Sequence, residues 1–367
     1  MSSLLKNIYS PAFYQQLSEV LIQTLPSFDR KKFINDIYDE DFESKELKAR
    51  MKHTAKVLHQ FLPADYGQRV SLLTEVVAEL RKSGRGEDSL AYMFLPDYIE
   101  TYGIEDFENS MIAIECLTQF VSCEFAVRPF MLKYGARMLT QMMEWSLHTN
   151  HKVRRLSSEG TRPRLPWAMA LPELKKDPRP VLPLLENLKN DPSEWVRRSV
   201  ANHLNDIAKD NPDLVIEIAK RWKGQYKETD AIIKHGCRTL LKQGHMEILK
   251  HYGLDSENVK VSNFQITTPV TPIGGELHFS FDLVNELSKT QTIRLEYGLY
   301  YRRQNDSLSK KVFKISEKSY AANEKVSVSR KQSFKLITTR KFYPGTQQLS
   351  IIVNGVEKVL KEFELSE

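Results

Sequence analysis

The sequence predicts an all-α helical-repeat solenoid followed by an all-β sandwich, and three observations predict it. Apolar residues recur at helical spacing as far as about residue 255. A Val-Arg-Arg triplet repeats inside that stretch, at Val153-Arg154-Arg155 and again 43 positions later at Val196-Arg197-Arg198. Beyond Gly253 the period becomes alternation, and Asn354-Gly355 stands between two apolar runs as a tight-hairpin signal.

In the first part, Phe13, Leu17, Val20 and Leu21 make one helical stripe, and Val57, Leu58 and Phe61 a second. Leu72, Leu73, Val76, Val77 and Leu80 make a third, and further helices fit 111–120, 125–134 and 138–146. Polar breaks such as Asn190-Asp191-Pro192 separate them. A weaker third copy of the triplet, Ile233-Lys234-His235 with Leu241, matches Val196-Arg197-Arg198 with Leu204. A period near 40 with two or more helices per unit marks HEAT-like repeats, which bury their apolar faces by stacking. One helical domain is expected over residues 1–255.

The tail reads as seven short strands: 259–266, 276–284, 292–301, 311–316, 325–330, 349–353 and 356–363. Seven antiparallel strands over some 110 residues suggest an immunoglobulin-like sandwich at 256–367. No cysteine lies beyond Cys237, so such a sandwich has no inter-sheet disulfide.

No window offers the apolar run that a membrane helix requires, and the N-terminus has no leader pattern. Cys116, Cys123 and Cys237 form no CxxC pair, which argues against structural zinc and a disulfide framework and for a reducing cytosol. The net charge of +6 is unevenly placed. Residues 151–203 hold 11 Lys/Arg against 6 Asp/Glu, and residues 256–367 hold 17 against 12, so the remainder is acidic. Two basic zones fit a polyanion partner as well as they fit two solvated faces.

The densest chemistry lies in VRRLSSEGTRPRLPW, Val153 to Trp167. Glu159 sits there alone among Arg154, Arg155, Arg162 and Arg164. The helix is expected to stop at Gly160 as a left-handed cap, with Pro163 and Pro166 forbidding continuation. Glu159 then occupies a helix C-terminus, where the macrodipole disfavours negative charge. On a helix through Val196, the positions Val200, His203, Leu204 and Ile207 make the buried face, while Arg198, Asn202 and Asp206 follow one flank. Glu159 takes the slot that Asn202 fills one repeat later, so Glu159 and Asp206 are expected to converge. Plainer readings exist for each residue singly. Arg155 with Glu159, and Arg198 with Asp206, suit surface ion pairs; Trp167 suits a plug between helices; Trp195 and His203 suit packing; Glu124 suits a helix cap.

Two blocks, RRLSSEGTRPRLPW (Arg154 to Trp167) and SEWVRRSVANHLND (Ser193 to Asp206), resemble the AlkC branch of the HEAT-like-repeat alkylpurine DNA glycosylases. The resemblance spans the helical part and implies a repeat unit that binds duplex DNA and removes alkylated bases. It also implies an immunoglobulin-like C-terminal domain. By matching positions it implies that Glu159, Asp206, Trp167 and Glu124 line the lesion pocket.

That implication suits the chemistry. A 3-methyladenine nucleotide already carries a cationic leaving base, and breaking its N-glycosidic bond builds positive charge on the sugar. Carboxylates there stabilise that charge and orient water, and a tryptophan face attracts the cation. Arg154, Arg155, Arg162, Arg164, Arg197 and Arg198 are the expected phosphate contacts. The expectation is a monofunctional, monomeric, cytoplasmic enzyme, acting on double-stranded DNA without deep base flipping and with no cofactor or metal. A non-catalytic HEAT-repeat scaffold for nucleic acid or an acidic protein is the alternative.

Overall fold

Polar caps start the helices where turns give way to apolar stripes. Ser10, Asp29, Asp65, Asp106 and Asn150 each accept a hydrogen bond from a backbone N–H in the turn that follows. The computed structural model describes residues 4–25, 27–84, 89–254, 256–336 and 341–367. Among these, sixteen α-helices come first in the chain. They are α1 (Pro11–Thr24), α2 (Arg30–Ile37), α3 (Leu47–His59), α4 (Tyr66–Lys82), α5 (Phe94–Tyr102), α6 (Phe107–Thr118), α7 (Val127–Tyr134) and α8 (Ala136–Trp145). There follow α9 (His151–Gly160), α10 (Pro172–Lys176), α11 (Leu182–Leu188), α12 (Glu194–Ile207), α13 (Pro212–Trp222), α14 (Lys227–Gly236), α15 (Arg238–Gln243) and α16 (Met246–His251). No described helix is long and apolar enough to cross a membrane.

The chain divides into two compact units, residues 1–215 with 222–236, and residues 216–221 with 237–367. In the first unit α4, α6, α9, α12 and α14 pack as a row, each on the next, and α8 and α11 pair with α9 and α12. This is the HEAT-like stacking of helical hairpins that the triplet spacing predicts. Val153, Val196 and Ile233 are buried at the matching positions of α9, α12 and α14. The third copy is cut short, because α14 ends at Gly236 and Leu241 belongs to α15.

The first arginine of each triplet repeats one contact. Arg154 Nη1 donates to the carbonyls of His148 and Thr149 at 2.8 and 2.7 Å. Arg197 Nη1 donates to those of Asp191 and Pro192 at 2.7 and 2.9 Å. Arg154 also grips Asp191 through Nε and Nη2, at 2.6 and 3.1 Å. Asp191 Oδ1 in turn accepts from the Ser193 N–H at 2.8 Å, so one carboxylate joins α9 to the turn before α12.

Gly160 differs from its expected role. It is the last residue of α9 and does not have a positive φ; the cap is Thr161. A Cβ at Gly160 would meet Val127 Cγ2 at 2.6 Å, so glycine is there to let α9 approach α7.

In the second unit the strands are β1 (Val259–Ile266), β2 (Val270–Pro272), β3 (Glu276–Asn285), β4 (Gln291–Arg302), β5 (Leu308–Tyr320), β6 (Lys325–Ser333), β7 (Gly345–Val353) and β8 (Val356–Ser366). They form a three-stranded sheet, β1-β3-β6, and a five-stranded sheet, β2-β8-β7-β4-β5. Inward residues such as Phe279, Phe281, Leu295, Leu299, Ile351 and Phe363 fill the space between the sheets. Asn354 and Gly355 both have positive φ, as the β7–β8 hairpin requires. The additional strand, β2, is three residues long and pairs in parallel with β8; too short for a period, it is carried by its partner.

Candidate active site

In the helical unit a cleft of about 500 Å³ is lined by Glu124, Arg155, Glu159, Arg162, Trp167 and Trp195, with an apolar wall that includes Met51 and Met93. Glu159 is the penultimate residue of α9 and Asp206 the penultimate residue of α12, one turn beyond the slot that matches Glu159 in the next repeat. The expected surface flank is in fact covered: Glu159 is 6% exposed and Asp206 2%. Both carboxylates meet a single guanidinium. Arg162 Nη1 donates to Glu159 Oε1 at 2.5 Å, while its Nη2 and Nε donate to Asp206 Oδ2 at 2.7 and 2.8 Å. Ser199 Oγ donates to Glu159 Oε2 at 2.5 Å, and Lys209 Nζ to Asp206 Oδ1 at 2.9 Å. Glu159 contributes to the cleft wall, and Asp206 stands behind it through Arg162.

Two helix C-termini push their partial negative charge towards these carboxylates, and buried cations oppose it. Burial pulls the Arg162 guanidinium down, but Glu159 and Asp206 outweigh this and leave it above its ordinary value. Arg128 has the opposite balance. Burial, then repulsion from Arg162, lowers it to about 10, still charged at neutral pH. Arg128 spends its guanidinium on backbone carbonyls of Gly160, Arg162 and Met169, and so shapes the segment that carries Arg162 and Trp167. His203 is fully buried, and burial followed by the field of Arg162 lowers it to about 3, leaving the ring neutral.

The ion pairs differ from those read along single helices. Arg155 does not pair with Glu159; its Nη2 donates to Glu124 Oε2 at 2.9 Å and its Nη1 to Ser122 Oγ at 3.3 Å. Glu124 therefore turns away from the cap position of α7, where no side chain caps. Arg198 pairs with Glu194 on the surface, while Asp206 belongs to Arg162. Arg164 holds Asp210 with Nε and Nη2 at 2.8 and 2.6 Å.

Trp167 plugs no gap. It is 77% exposed, its φ is +66°, and its carbonyl accepts from Lys48 Nζ at 3.1 Å. An exposed indole on a left-handed backbone is held there at a cost in strain. Trp195 is likewise no packing residue. It is 51% exposed, lines the same cleft, and has the Arg155 guanidinium 5.8 Å from its ring centre.

Of the six arginines expected at phosphates, the structure turns Arg154 and Arg197 to the repeat turns and Arg162 to the buried carboxylates. Arg155, Arg164 and Arg198 remain at the cleft or the surface. Sequence reasoning did not find Arg128, Ser199, Lys48 or the exposure of Trp195. Only Arg128 carried a signal, a charge at an inward position of its helix. No cluster of metal-ligating residues occurs among the described residues.

A HEAT-like repeat unit with paired acids, one in the wall and one behind it, at an arginine- and tryptophan-lined cleft, and an immunoglobulin-like sandwich later in the chain, define the class of this protein. Residues 260–367 match the family model described as the C-terminal Ig-like domain of uncharacterised protein YhaZ. Over 362 residues the chain is 39% identical to the uncharacterized protein YhaZ of Bacillus subtilis, covering 98% of this chain and 99% of that one. The solved alkylpurine DNA glycosylase AlkC of Pseudomonas fluorescens, bound to DNA containing an abasic-site analogue, matches with a TM-score of 0.89 at 35% identity over 100% of both chains. The chain belongs to the AlkC family, YhaZ being a second relative over nearly its full length.

Proposed function

We propose that this protein is a monofunctional DNA glycosylase that hydrolyses the N-glycosidic bond of cationic alkylated bases, 3-methyladenine foremost, in duplex DNA. One observation carries the reading: Glu159 and Asp206, from successive repeats, are gathered at one guanidinium beside a cleft with an exposed tryptophan. The AlkC match supports the glycosylase class.

The chemistry follows from charge. The leaving base is already cationic, so no strong acid is needed to protonate it. As the bond lengthens, positive charge grows on the deoxyribose, and a preorganised acidic wall lowers the energy of that state. Glu159 faces the sugar and orients water, Asp206 adds its field from behind, and Glu124 completes the wall across Arg155. Trp167 packs on the cationic nucleotide. The lesion is attacked without extrusion into a deep pocket, unlike the usual route of such enzymes. Arg155, Arg164 and Arg198 contact phosphates. Lys48, at the cleft, already donates to the Trp167 carbonyl, and water rather than an amine is the nucleophile. Borohydride then traps no enzyme–DNA adduct.

The deciding assay is release of free bases, scored by mass, from methylated duplex DNA. Glu159→Gln and Asp206→Asn are each expected to slow release by about 10²–10³-fold, the scale of losing one electrostatic group, with affinity for abasic-analogue DNA retained. Wild-type rates in both variants would discard the assignment.

A further inference from the structure

We infer that Arg162 is the positioning residue of this site: its one guanidinium clamps Glu159 and Asp206 from successive repeats and separates the two buried carboxylates. What the carboxylates then do rests on the glycosylase reading; the clamp itself rests on geometry.

By sequence alone Arg162 belongs to a basic run and reads as a phosphate contact. Its side chain is buried, and three different nitrogens already donate to carboxylates. The Arg162 carbonyl is fixed by Arg128 Nη1 at 2.6 Å, so backbone and side chain are both restrained. A planar fork satisfies two carboxylates in fixed directions; a lysine ammonium offers no such geometry. Swinging out to a phosphate would leave two like charges buried side by side.

The other charged groups facing the pair do not replace this bridge. Lys209 Nζ touches Asp206 alone. Arg128 directs its donors to carbonyls, Arg164 is held by Asp210, and His203 is neutral. Glu124, in the same cleft, is paired with Arg155. Among the described residues, Arg162 alone donates to both Glu159 and Asp206.

Removing the clamp has a signature that a phosphate contact lacks. Two unbridged carboxylates in a low-dielectric site compete for one proton, so one of them ionises only at higher pH. In Arg162→Met the acid limb of excision, measured in single turnover, is expected to move up by about one pH unit or more. The rate at neutral pH should fall by about 10²-fold. Arg162→Lys, which keeps the charge without the fork, should lie between. Binding to abasic-analogue duplex should keep its salt slope in both. A slope reduced by about one charge, with an unmoved pH limb, would make Arg162 a phosphate contact and overturn the clamp.

Melting separates this from failure of the glycosylase reading. Relative to wild type, Arg162→Met should lose melting temperature progressively as pH rises, because the folded state then holds a proton that the unfolded state releases. Adding Glu159→Gln should restore part of that loss. A deficit independent of pH, or no rescue, refutes the clamp even if no base is ever released. Excision absent from the wild-type protein, with this melting pattern present, refutes only the glycosylase reading.

Discussion

Arg128 holds the backbone of Arg162: its Nη1 donates to the Arg162 carbonyl at 2.6 Å from a fully buried position on α7. The same guanidinium takes the carbonyls of Gly160 and Met169, so the segment between α9 and α10 is closed around one charge. Arg128→Met leaves those carbonyls without donors and is expected to cost about 2–4 kcal/mol of stability, the range for stranding buried polar groups. Excision should fall too, although Arg128 faces no reacting atom. Thermal melting with limited proteolysis across residues 160–169 checks both.

Trp167 is exposed enough that its removal should leave the fold almost untouched. Trp167→Ala is expected to slow excision of a cationic base by about tenfold, since a desolvated cation–π contact is worth about 1–2 kcal/mol. A neutral lesion should be affected less. The ratio of the two rates in the variant is the measurement, and an equal loss on both lesions would remove the cation–π role.

The two arginines of the triplet should separate in experiment. Arg154→Ala breaks the buried pair with Asp191 and the turn contacts, and is expected to cost about 3–5 kcal/mol in denaturant melts. Arg198, on the surface of α12, should behave in reverse. Arg198→Ala should leave stability nearly unchanged and reduce the salt slope of DNA binding by about one charge. Salt titrations of both variants test the division.

Glu100 on α5 makes a pH prediction. Burial first, and then the neighbouring Asp97, raise its carboxyl to about 7. Between its ordinary value of 4.5 and about 7 the folded state therefore holds a proton that the unfolded state has released. Stability should decline as pH rises through that window and level off above it. Glu100→Gln should raise the melting temperature above pH 7 and change little near pH 4. Melting curves across that range check the sign.

Much of the architecture was legible from local pattern. The change from helical period to alternation falls where the helices end at His251 and β1 begins at Val259. Asn354-Gly355 marks its hairpin, and the Val-Arg-Arg triplets mark successive repeats. The convergence of Glu159 and Asp206 was legible as well, since neighbouring repeats place equivalent flanks side by side and Asp206 lies one turn beyond Asn202, the residue that matches Glu159. Trp195 was not, because a tryptophan near a helix start looks the same whether it packs or faces a cleft. Gly160 misled for a similar reason: a glycine at a helix end fits a left-handed cap, and only the approach of Val127 shows its use in close packing.

By itself the sequence determined the backbone elements and their repetition, since side-chain periodicity, caps and turn residues act over a few positions. The tertiary structure decided which cation answers which acid. Arg155 went to Glu124, Arg154 to Asp191, and Arg162 to Glu159 and Asp206 together. Most of those partners come from separate segments, and their pairing depends on how α9, α12 and the segment after α9 pack, where burial makes an unpaired charge costly enough to select one arrangement.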